Sequence, residues 1–164
     1  MKDRQALPAL LQGRTVIVGL GLMGASLAKG IKDLSAAAFV AGLDRKEQPI
    51  FRGLEEKVLD QGAVLSTQED SVRSLIQEAT LIILSMYPDG ILDFVSRYRE
   101  TFSEGDSSHG YLWTERILPG GGAAHPAGGV EFVGTHPMAG KEKSGYEYGN
   151  GEIFLGANFV ITPT

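Results

Sequence analysis

The sequence predicts an α/β fold in which helices cover both faces of a doubly wound, mostly parallel β-sheet. Strand-like apolar runs alternate along the chain with segments of helical periodicity. Residues 81–86 form a run without regular polar alternation, which is typical of a central strand covered on both faces. The run at 16–18 leads through a glycine-rich turn straight into a helical pattern. We therefore predict one Rossmann-type dinucleotide-binding domain over residues 1–164.

The first two-thirds of the chain, after a lead-in over residues 1–13, shows regular alternation. Strands are predicted at 16–18, 39–44, 63–66 and 81–86. Helices are predicted at 22–33, 46–60, 67–79 and 91–102. Gly62 is read as the stop signal of the second helix, and a capping box over 67–70 is read as the start of the third.

The last third of the chain is less regular. A buried strand is expected after Phe102, but the residues that follow are polar and rich in glycine, so this strand is predicted to be missing or degraded. Residues 111–118 are predicted to form a short helix, and the low-complexity stretch at 120–129 a loop. Strands are expected again at 130–133 and 158–162.

The glycine-rich turn carries the strongest local signal for a ligand. Its glycines have separate tasks: Gly19 makes the sharp turn, Gly21 lets a pyrophosphate approach the backbone, and Gly24 lets the helix pack on the sheet. The helix that follows offers N–H groups and a positive dipole end to phosphates. The whole turn is predicted to bind a dinucleotide: Gly19, Leu20, Gly21, Leu22, Met23 and Gly24.

An acidic residue at the end of the second predicted strand sharpens this prediction. Asp44 stands twenty positions after Gly24, where a carboxylate is expected to meet the adenosine ribose hydroxyls. Its charge would repel a ribose 2′-phosphate, so NAD is favoured as the cofactor. Arg45 leaves NADP open as the less favoured alternative, because an arginine can accommodate that phosphate. Tyr87 and Pro88 follow the fourth strand and are predicted to line the cofactor cleft.

Composition excludes several other classes of function. A net charge of −5 argues against a nucleic-acid partner, because phosphate binding needs a basic face. Without cysteine there is no thiolate metal site, and the three histidines lack ligand spacing, so no metal site is predicted. No apolar run approaches the ~18 residues of a membrane span, and no signal-peptide core follows Met1. We expect a cytoplasmic protein with no membrane partner.

Residues 134–145 are the second informative stretch. They follow a predicted strand and therefore lie near the carboxyl-end crevice, where ligands of such sheets bind. His136 precedes a proline within this stretch. A neutral imidazole suits proton transfer near pH 7, as an enzyme that oxidises an alcohol requires. A structural turn residue is the alternative interpretation of His136, because residues before proline are often extended connectors.

The motifs at 19–24, 84–88, 134–140 and 142–145 together resemble the TyrA family, the prephenate and arogenate dehydrogenases of tyrosine biosynthesis. The resemblance implies that NAD takes a hydride from the ring carbon bearing the hydroxyl while carbon dioxide is lost. It implies that His136 polarises that hydroxyl and that Glu142 helps shape the site. It also implies that Ser107 or Ser108 assists the histidine.

The family continues into a helical domain that forms a homodimer and supplies cations for the substrate carboxylates, and this domain is absent from the chain. We therefore expect a cofactor-binding half that is weakly active or inactive by itself. Two other hypotheses stay open. A β-hydroxyacid dehydrogenase shares a similar glycine turn but does not explain residues 135–140. A non-catalytic NAD-binding module is favoured by the degraded serine loop and opposed by His136.

Overall fold

The computed structural model describes residues 9–104, 110–114, 130–140 and 142–162. These form a seven-stranded sheet in the order β3-β2-β1-β4-β5-β6-β7. The strands are β1 (Arg14–Val18), β2 (Phe39–Asp44), β3 (Gln61–Val64), β4 (Leu81–Leu84), β5 (Gly110–Thr114), β6 (Val130–Pro137) and β7 (Phe159–Thr162). The pairs from β3 to β6 are parallel, and β7 alone runs antiparallel. The predicted Rossmann-type fold is confirmed.

Five α-helices are seen over the described residues. They are α1 (Leu22–Leu34), α2 (Glu47–Glu55), α3 (Glu69–Gln77), α4 (Pro88–Arg97) and α5 (Arg99–Glu104), and short 3-10 turns lie at Ala9–Gln12, Tyr146–Tyr148 and Gly151–Phe154. None of the helices in this part of the chain has both the length and the apolar character that crossing a bilayer requires.

Two apolar layers hold the helices against the sheet. On one face, Val18 and Leu84 pack with residues of α3, α4 and α5, including Phe94. On the other face, Ile17 and Ile83 pack with residues of α1 and α2 and with Tyr146. Alternate residues of β1 and β4 thus enter opposite layers, which is why these strands read as continuous apolar runs.

The sheet order reverses direction between β1 and β4. From β1 the chain builds outward through β2 to β3, and then returns to place β4 on the other side of β1. In parallel sheets of this kind, the crevice at the carboxyl ends of the two strands flanking the reversal binds ligands. The turn after β1 and the turn after β4 therefore face one another across the expected ligand crevice.

The strand predicted to be missing after Phe102 is present. β5 pairs in parallel with β4 on one side and with β6 on the other, so the helix predicted over 111–118 is wrong in its described part. The residues before β5 are polar and rich in glycine, so the sequence pattern there did not indicate a strand. The strand forms because two neighbours satisfy its backbone groups, a cause that lies in the sheet rather than in the local sequence. The loop predicted at 120–129 lies outside the described residues.

The second helix and the third strand differ from prediction in their bounds. α2 ends at Glu55 instead of Asp60, because the chain turns so that the N–H groups of Val58 and Leu59 both donate to the Gly53 carbonyl, each at 2.9 Å. Gly62 is not a helix stop. It lies within β3, opposite Gly42 of β2.

Two helix-start predictions also need correction. The capping box at 67–70 is wrong, because α3 begins without a side-chain cap and the Gln68 amide oxygen instead accepts from the Val64 N–H at 2.7 Å. The helix predicted over 91–102 is two helices, α4 and α5, with Tyr98 between them. α4 already begins at Pro88, whose fixed φ suits the first helical position.

Candidate functional site

The glycine turn after β1 has the construction that a dinucleotide requires. Gly19 has a φ of +90°, and a Cβ there would meet the carbonyl oxygen of Ser85, so only glycine fits. A Cβ on Gly24 would meet the carbonyl oxygen of Gly19, so the first turn of α1 packs tightly under the loop. Gly21 differs from both, because nothing lies within 4 Å of its ideal Cβ position. The surface above Gly21 is open.

The amino end of α1 points its polar groups at this open surface. Gly21 is the N-cap residue, no side chain caps the helix, and its first turn contains no acidic residue. The first N–H groups of a helix have no acceptor within the helix, and the helix dipole adds partial positive charge there. An anion at this end would therefore meet both, as a pyrophosphate does in dinucleotide sites.

Asp44 is the last residue of β2 and contacts the glycine turn. One of its carboxylate oxygens accepts from the Leu20 N–H at 2.8 Å, and the other from the Lys46 N–H at 2.9 Å. Each oxygen keeps a second lone pair that can accept from a ribose hydroxyl. The side chain of Leu20 is fully buried, so any cofactor contact of Leu20 is through its backbone. Arg45 is exposed beside this site.

The end of β4 forms the other wall of the crevice. The Ser85 N–H donates to the Val18 carbonyl at 2.8 Å, which brings the two strand ends together. Met86 lies half-buried beside Gly19, while Tyr87 is 74% exposed at the N-cap of α4 and Pro88 begins that helix. Tyr87 and Pro88 thus lie at the carboxyl edge beside the glycine turn, where a cleft-lining role requires them.

His136 lies on a strand rather than in the loop expected to follow one. β6 extends to Pro137 because β7 pairs with its last residues, and His136 faces Val160 in that pairing. His136 is exposed, while its neighbours Thr135 and Pro137 are buried. Side chains alternate along a strand, so the imidazole lies on the opposite face from these two. His136 thus lies in an extended strand and not in a turn, and its catalytic role stays a prediction.

The register of the sheet relates His136 to the glycine turn. Val18 of β1 is in register with Leu84, Leu84 with Thr114, and Thr114 with Gly134 of β6. His136 therefore lies two residues beyond this row, at the same carboxyl edge as the glycine turn. Three strand spacings separate β1 from β6, which amounts to about 14 Å.

Glu142 lies five residues beyond the end of β6. It is exposed and lines a groove with Lys143, Glu147 and Tyr148, where the Lys143 ammonium lies 4.9 Å from the centre of the Tyr148 ring. Ser107 and Ser108 lie outside the described residues.

Comparison with known proteins agrees with this geometry. Residues 122–164 match the family model described as the prephenate dehydrogenase nucleotide-binding domain. Prephenate dehydrogenase of Lactococcus lactis subsp. cremoris is 30% identical over 155 residues, which are 91% of this chain and 40% of that protein. The chain is a nucleotide-binding domain of the TyrA family. It spans less than half the length of the curated relatives that it matches.

Solved structures of TyrA proteins share the fold. A prephenate dehydrogenase from A. aeolicus, in complex with hydroxyphenyl propionate and NAD+, superposes with a TM-score of 0.76 at 24% identity, covering 98% of this chain and 52% of that one. The arogenate dehydrogenase of Synechocystis gives a TM-score of 0.72 at 25% identity, covering 92% of this chain and 50% of that one.

One part of this TyrA domain was not singled out from the sequence. Residues 145–154, which we call the strap, follow the histidine motif and lie along α1. Within the strap, Tyr146 is 2% exposed and its hydroxyl donates to Glu56 at 3.0 Å. Burial and this hydrogen bond raise the pKa of Tyr146 above its usual value. The sequence offers no signal for the strap, because its glycines 149 and 151 lie against Ala25 and Gly30 of α1, which only the fold brings beside them.

Proposed function

We propose that this TyrA domain is the NAD-binding half of an enzyme that oxidises prephenate to 4-hydroxyphenylpyruvate with loss of carbon dioxide. The observation that carries the proposal is the sheet register, which brings His136 to the same carboxyl edge as the glycine turn. The Lactococcus relative supports prephenate as the substrate. Arogenate is the second candidate, supported by the likeness to the Synechocystis arogenate dehydrogenase.

The residues present fit a bound dinucleotide. Gly21 leaves room for a pyrophosphate against the backbone, and the uncapped amino end of α1 supplies donors for its oxygens. Asp44 has lone pairs for the adenosine ribose, while Tyr87 and Pro88 would line the cleft. NAD bound in this way supplies a ring that accepts a hydride. The NAD+ in the A. aeolicus structure supports the same choice of cofactor.

His136 would handle the proton of the substrate hydroxyl. As the ring carbon gives up its hydride, the hydroxyl oxygen would pass its proton to His136 and become a carbonyl oxygen. The electron pair left in the ring by the departing carbon dioxide then makes the ring aromatic, and the oxygen takes the proton back as the phenol hydroxyl of the product. A neutral imidazole accepts that proton near pH 7, and the exposed position of His136 lets a substrate reach it from solution. Glu142, exposed on the loop beyond β6, would shape the substrate side of the site. A supporting role of Ser107 or Ser108 stays a prediction.

Asp44 and Arg45 would set the choice between NAD and NADP. The Asp44 carboxylate is held in place by two backbone N–H groups, so it cannot easily turn away from a ribose 2′-phosphate. Its fixed negative charge favours NAD. Arg45 is exposed beside it and is the group that would accommodate the phosphate of NADP. A cytoplasmic location and a homodimer are the further expectations for the whole enzyme.

The first test is a calorimetric titration of the purified chain with NAD and with NADP. The second measures the formation of reduced cofactor when prephenate or arogenate is added as the substrate. We expect tighter binding of NAD than of NADP, and NAD reduction that depends on prephenate. Absence of NAD binding would contradict the proposal. NAD binding without oxidation of either substrate, in the chain or in a longer protein that contains it, would favour a non-catalytic NAD-binding module.

A further inference from the structure

The connection between β6 and β7 is a closed loop that returns to the cofactor helix. Its ends meet, because the Met138 N–H donates to the Asn158 carbonyl at 2.7 Å. The strap forms the middle of this connection and contacts α1, the helix whose amino end faces the expected pyrophosphate. The chain that leaves His136 is thus held on the helix that would bind the cofactor.

One hydroxyl group makes the polar part of this contact. Ser26 of α1 is fully buried, and its Oγ accepts from the Asn150 N–H of the strap at 2.9 Å. The same Oγ donates to the Leu22 carbonyl at 2.7 Å. Leu22 is the first residue of α1 and part of the glycine turn. Ser26 therefore links the strap backbone directly to the helical turn at which a cofactor would bind.

Close backbone packing surrounds this hydroxyl. A Cβ on Gly149 would lie 2.6 Å from the Cβ of Ala25, and a Cβ on Gly151 would lie 2.6 Å from the Cα of Gly30. The strap can lie this close to α1 only because both of its glycines lack side chains. Such a contact has one arrangement and leaves little room for the strap to slide along the helix.

A third contact fixes the start of the strap. The Tyr146 ring is buried in the apolar layer with Ile17 and Ala25, and its hydroxyl donates to Glu56 after α2. The Lys29 ammonium lies 4.8 Å from the ring centre and 3.4 Å from the Glu56 carboxylate. Residues 142–144, including Glu142, therefore lie between two held points, the end of β6 and Tyr146.

We propose that Ser26 is a positioning residue, which couples cofactor binding at the amino end of α1 to the strap and to the Glu142 segment before it. The inference rests on the proposed function, because it takes NAD as the ligand of α1. NAD bound at the amino end of α1 would reduce the motion of the first helical turn. The Leu22 carbonyl belongs to that turn. The Ser26 hydroxyl bonded to that carbonyl would then hold the Asn150 N–H more firmly, so that the strap opens less often.

The test is amide hydrogen exchange of residues 142–154 with and without NAD, in the wild type and in Ser26→Ala. In the wild type we expect NAD to slow strap exchange by roughly tenfold. In Ser26→Ala we expect NAD to bind with nearly unchanged affinity but to slow strap exchange by less than about twofold. The matched control is Ser71→Ala, an exposed serine of α3 on the other face of the sheet, which should behave as wild type.

A pair of substitutions that moves a methyl group from Ala25 to Gly149 tests the same coupling without removing the Ser26 hydroxyl. Gly149→Ala places its methyl group against Ala25 and should lift the strap, which would abolish the effect of NAD on strap exchange. Adding Ala25→Gly removes the Ala25 Cβ, the nearest atom to that methyl group, and leaves two backbone atoms of residues 25 and 26 at 3.1 Å, so it should restore most of the effect. A merely structural role of the contact would lower protection equally with and without NAD.

The outcomes separate this inference from the proposed function. If NAD does not bind the wild type, the proposed function fails, and the coupling fails with it. If NAD binds but protects the strap equally in the wild type and in Ser26→Ala, or protects it in neither, the coupling is overturned while the proposed function stands. Loss of NAD-dependent protection in Ser26→Ala, with NAD affinity kept, supports both.

Discussion

At the scale of single residues, the glycines of the first turn differ in what a side chain would meet. At Gly24 an added methyl group would enter the space of the Gly19 carbonyl oxygen, whereas at Gly21 it would enter open solvent. Gly24 is therefore needed for the fold itself, whereas the fold does not require a glycine at position 21, which fits the proposed contact of Gly21 with a pyrophosphate. The sequence pattern gives Gly21 and Gly24 separate tasks, and the contacts around the two residues differ in the way that those tasks require.

Gly21→Val and Gly24→Ala test this difference. Gly21 has a φ of −71°, which valine can adopt, so Gly21→Val should lower the free energy of unfolding by about 1 kcal/mol or less while weakening NAD binding ~100-fold. Gly24→Ala should lower the free energy of unfolding by about 1–3 kcal/mol through overpacking. Urea unfolding and NAD titration measure both. Unchanged NAD affinity in Gly21→Val would remove the pyrophosphate from this loop.

Asp44→Ser tests the residue that would select the cofactor. The shorter hydroxyl cannot hold both the Leu20 and Lys46 N–H groups, and it carries no charge to repel a phosphate. We expect weaker NAD binding and a fall of about tenfold in the preference for NAD over NADP, equivalent to about 1.4 kcal/mol. Asp93→Ser, an exposed change on α4, is the matched control. An unchanged preference would place Asp44 outside the cofactor site.

His136→Asn tests the proposed proton acceptor. Asparagine keeps a polar side chain at the strand edge but cannot take a proton, so kcat should fall by ~10²–10⁴ while NAD affinity stays the same. The measurement is a steady-state assay of the catalytically competent protein, with calorimetry for NAD. Turnover at the wild-type rate would exclude His136 from catalysis.

At the scale of elements, the sequence predicted β1, α1, β2 and β4 well and β5 poorly. The first four can be predicted from their own residues, because an apolar run marks a buried strand and a glycine-rich turn marks the start of a helix without reference to distant residues. β5 depends on β4 and β6 to pair with it, and the pairing partner lies many residues away. The extension of β6 through His136 likewise depends on β7.

Asp60 joins α1 to β2 and gives a prediction on pH. Its carboxylate accepts from the Lys32 ammonium of α1 at 2.8 Å and from the Val40 N–H of β2 at 2.8 Å. Burial by itself raises the pKa of Asp60, but these hydrogen bonds and the charges of Lys32 and Arg14 outweigh it, so the pKa lies below its usual value. Because the folded-state pKa is lower than the unfolded one, the stabilisation is full above the unfolded value and is lost as pH falls through the folded value.

Asp60→Asn should therefore lower the free energy of unfolding by about 1 kcal/mol near neutral pH, a modest effect because the side chain is 39% exposed. The difference between variant and wild type should shrink as the pH falls below about 4. Urea unfolding over a pH series measures it, with the exposed change Asp93→Asn as control. A difference that does not vary with pH would mean that the charge of Asp60 contributes nothing.

At the scale of the whole molecule, topology rather than any single motif relates the two halves of the candidate site. The sequence predicted the glycine turn and the histidine motif separately. That they meet at one edge follows from the register of four parallel strands, Val18 to Leu84 to Thr114 to Gly134. The strap on α1 could not be predicted, because glycines 149 and 151 have no visible partner until the fold brings α1 beside them.

The positions of the arginines predict weak activity for the chain alone. A substrate with two carboxylates calls for arginine forks near His136. Over the described residues, Arg14, Arg73 and Arg97 each pair with a carboxylate of the domain. Arg52 and Arg99 lie on the helices α2 and α5 rather than at the strand ends beside His136. Arg45 follows the carboxyl end of β2, which lies four strand spacings from β6, or about 19 Å.

We therefore expect the purified chain to bind NAD normally but to oxidise prephenate with a kcat/KM ~10²–10⁴-fold below that of the intact Lactococcus lactis relative. Two missing charge-assisted contacts, at about 1.5–3 kcal/mol each, account for a loss of this size. The loss should appear largely as a higher KM for prephenate, since His136 and the cofactor turn are both present. Steady-state kinetics of the two proteins under one set of conditions measures it. Turnover by the chain alone at a rate and KM close to those of the relative would mean that residues 1–164 already contain the groups that hold the substrate carboxylates.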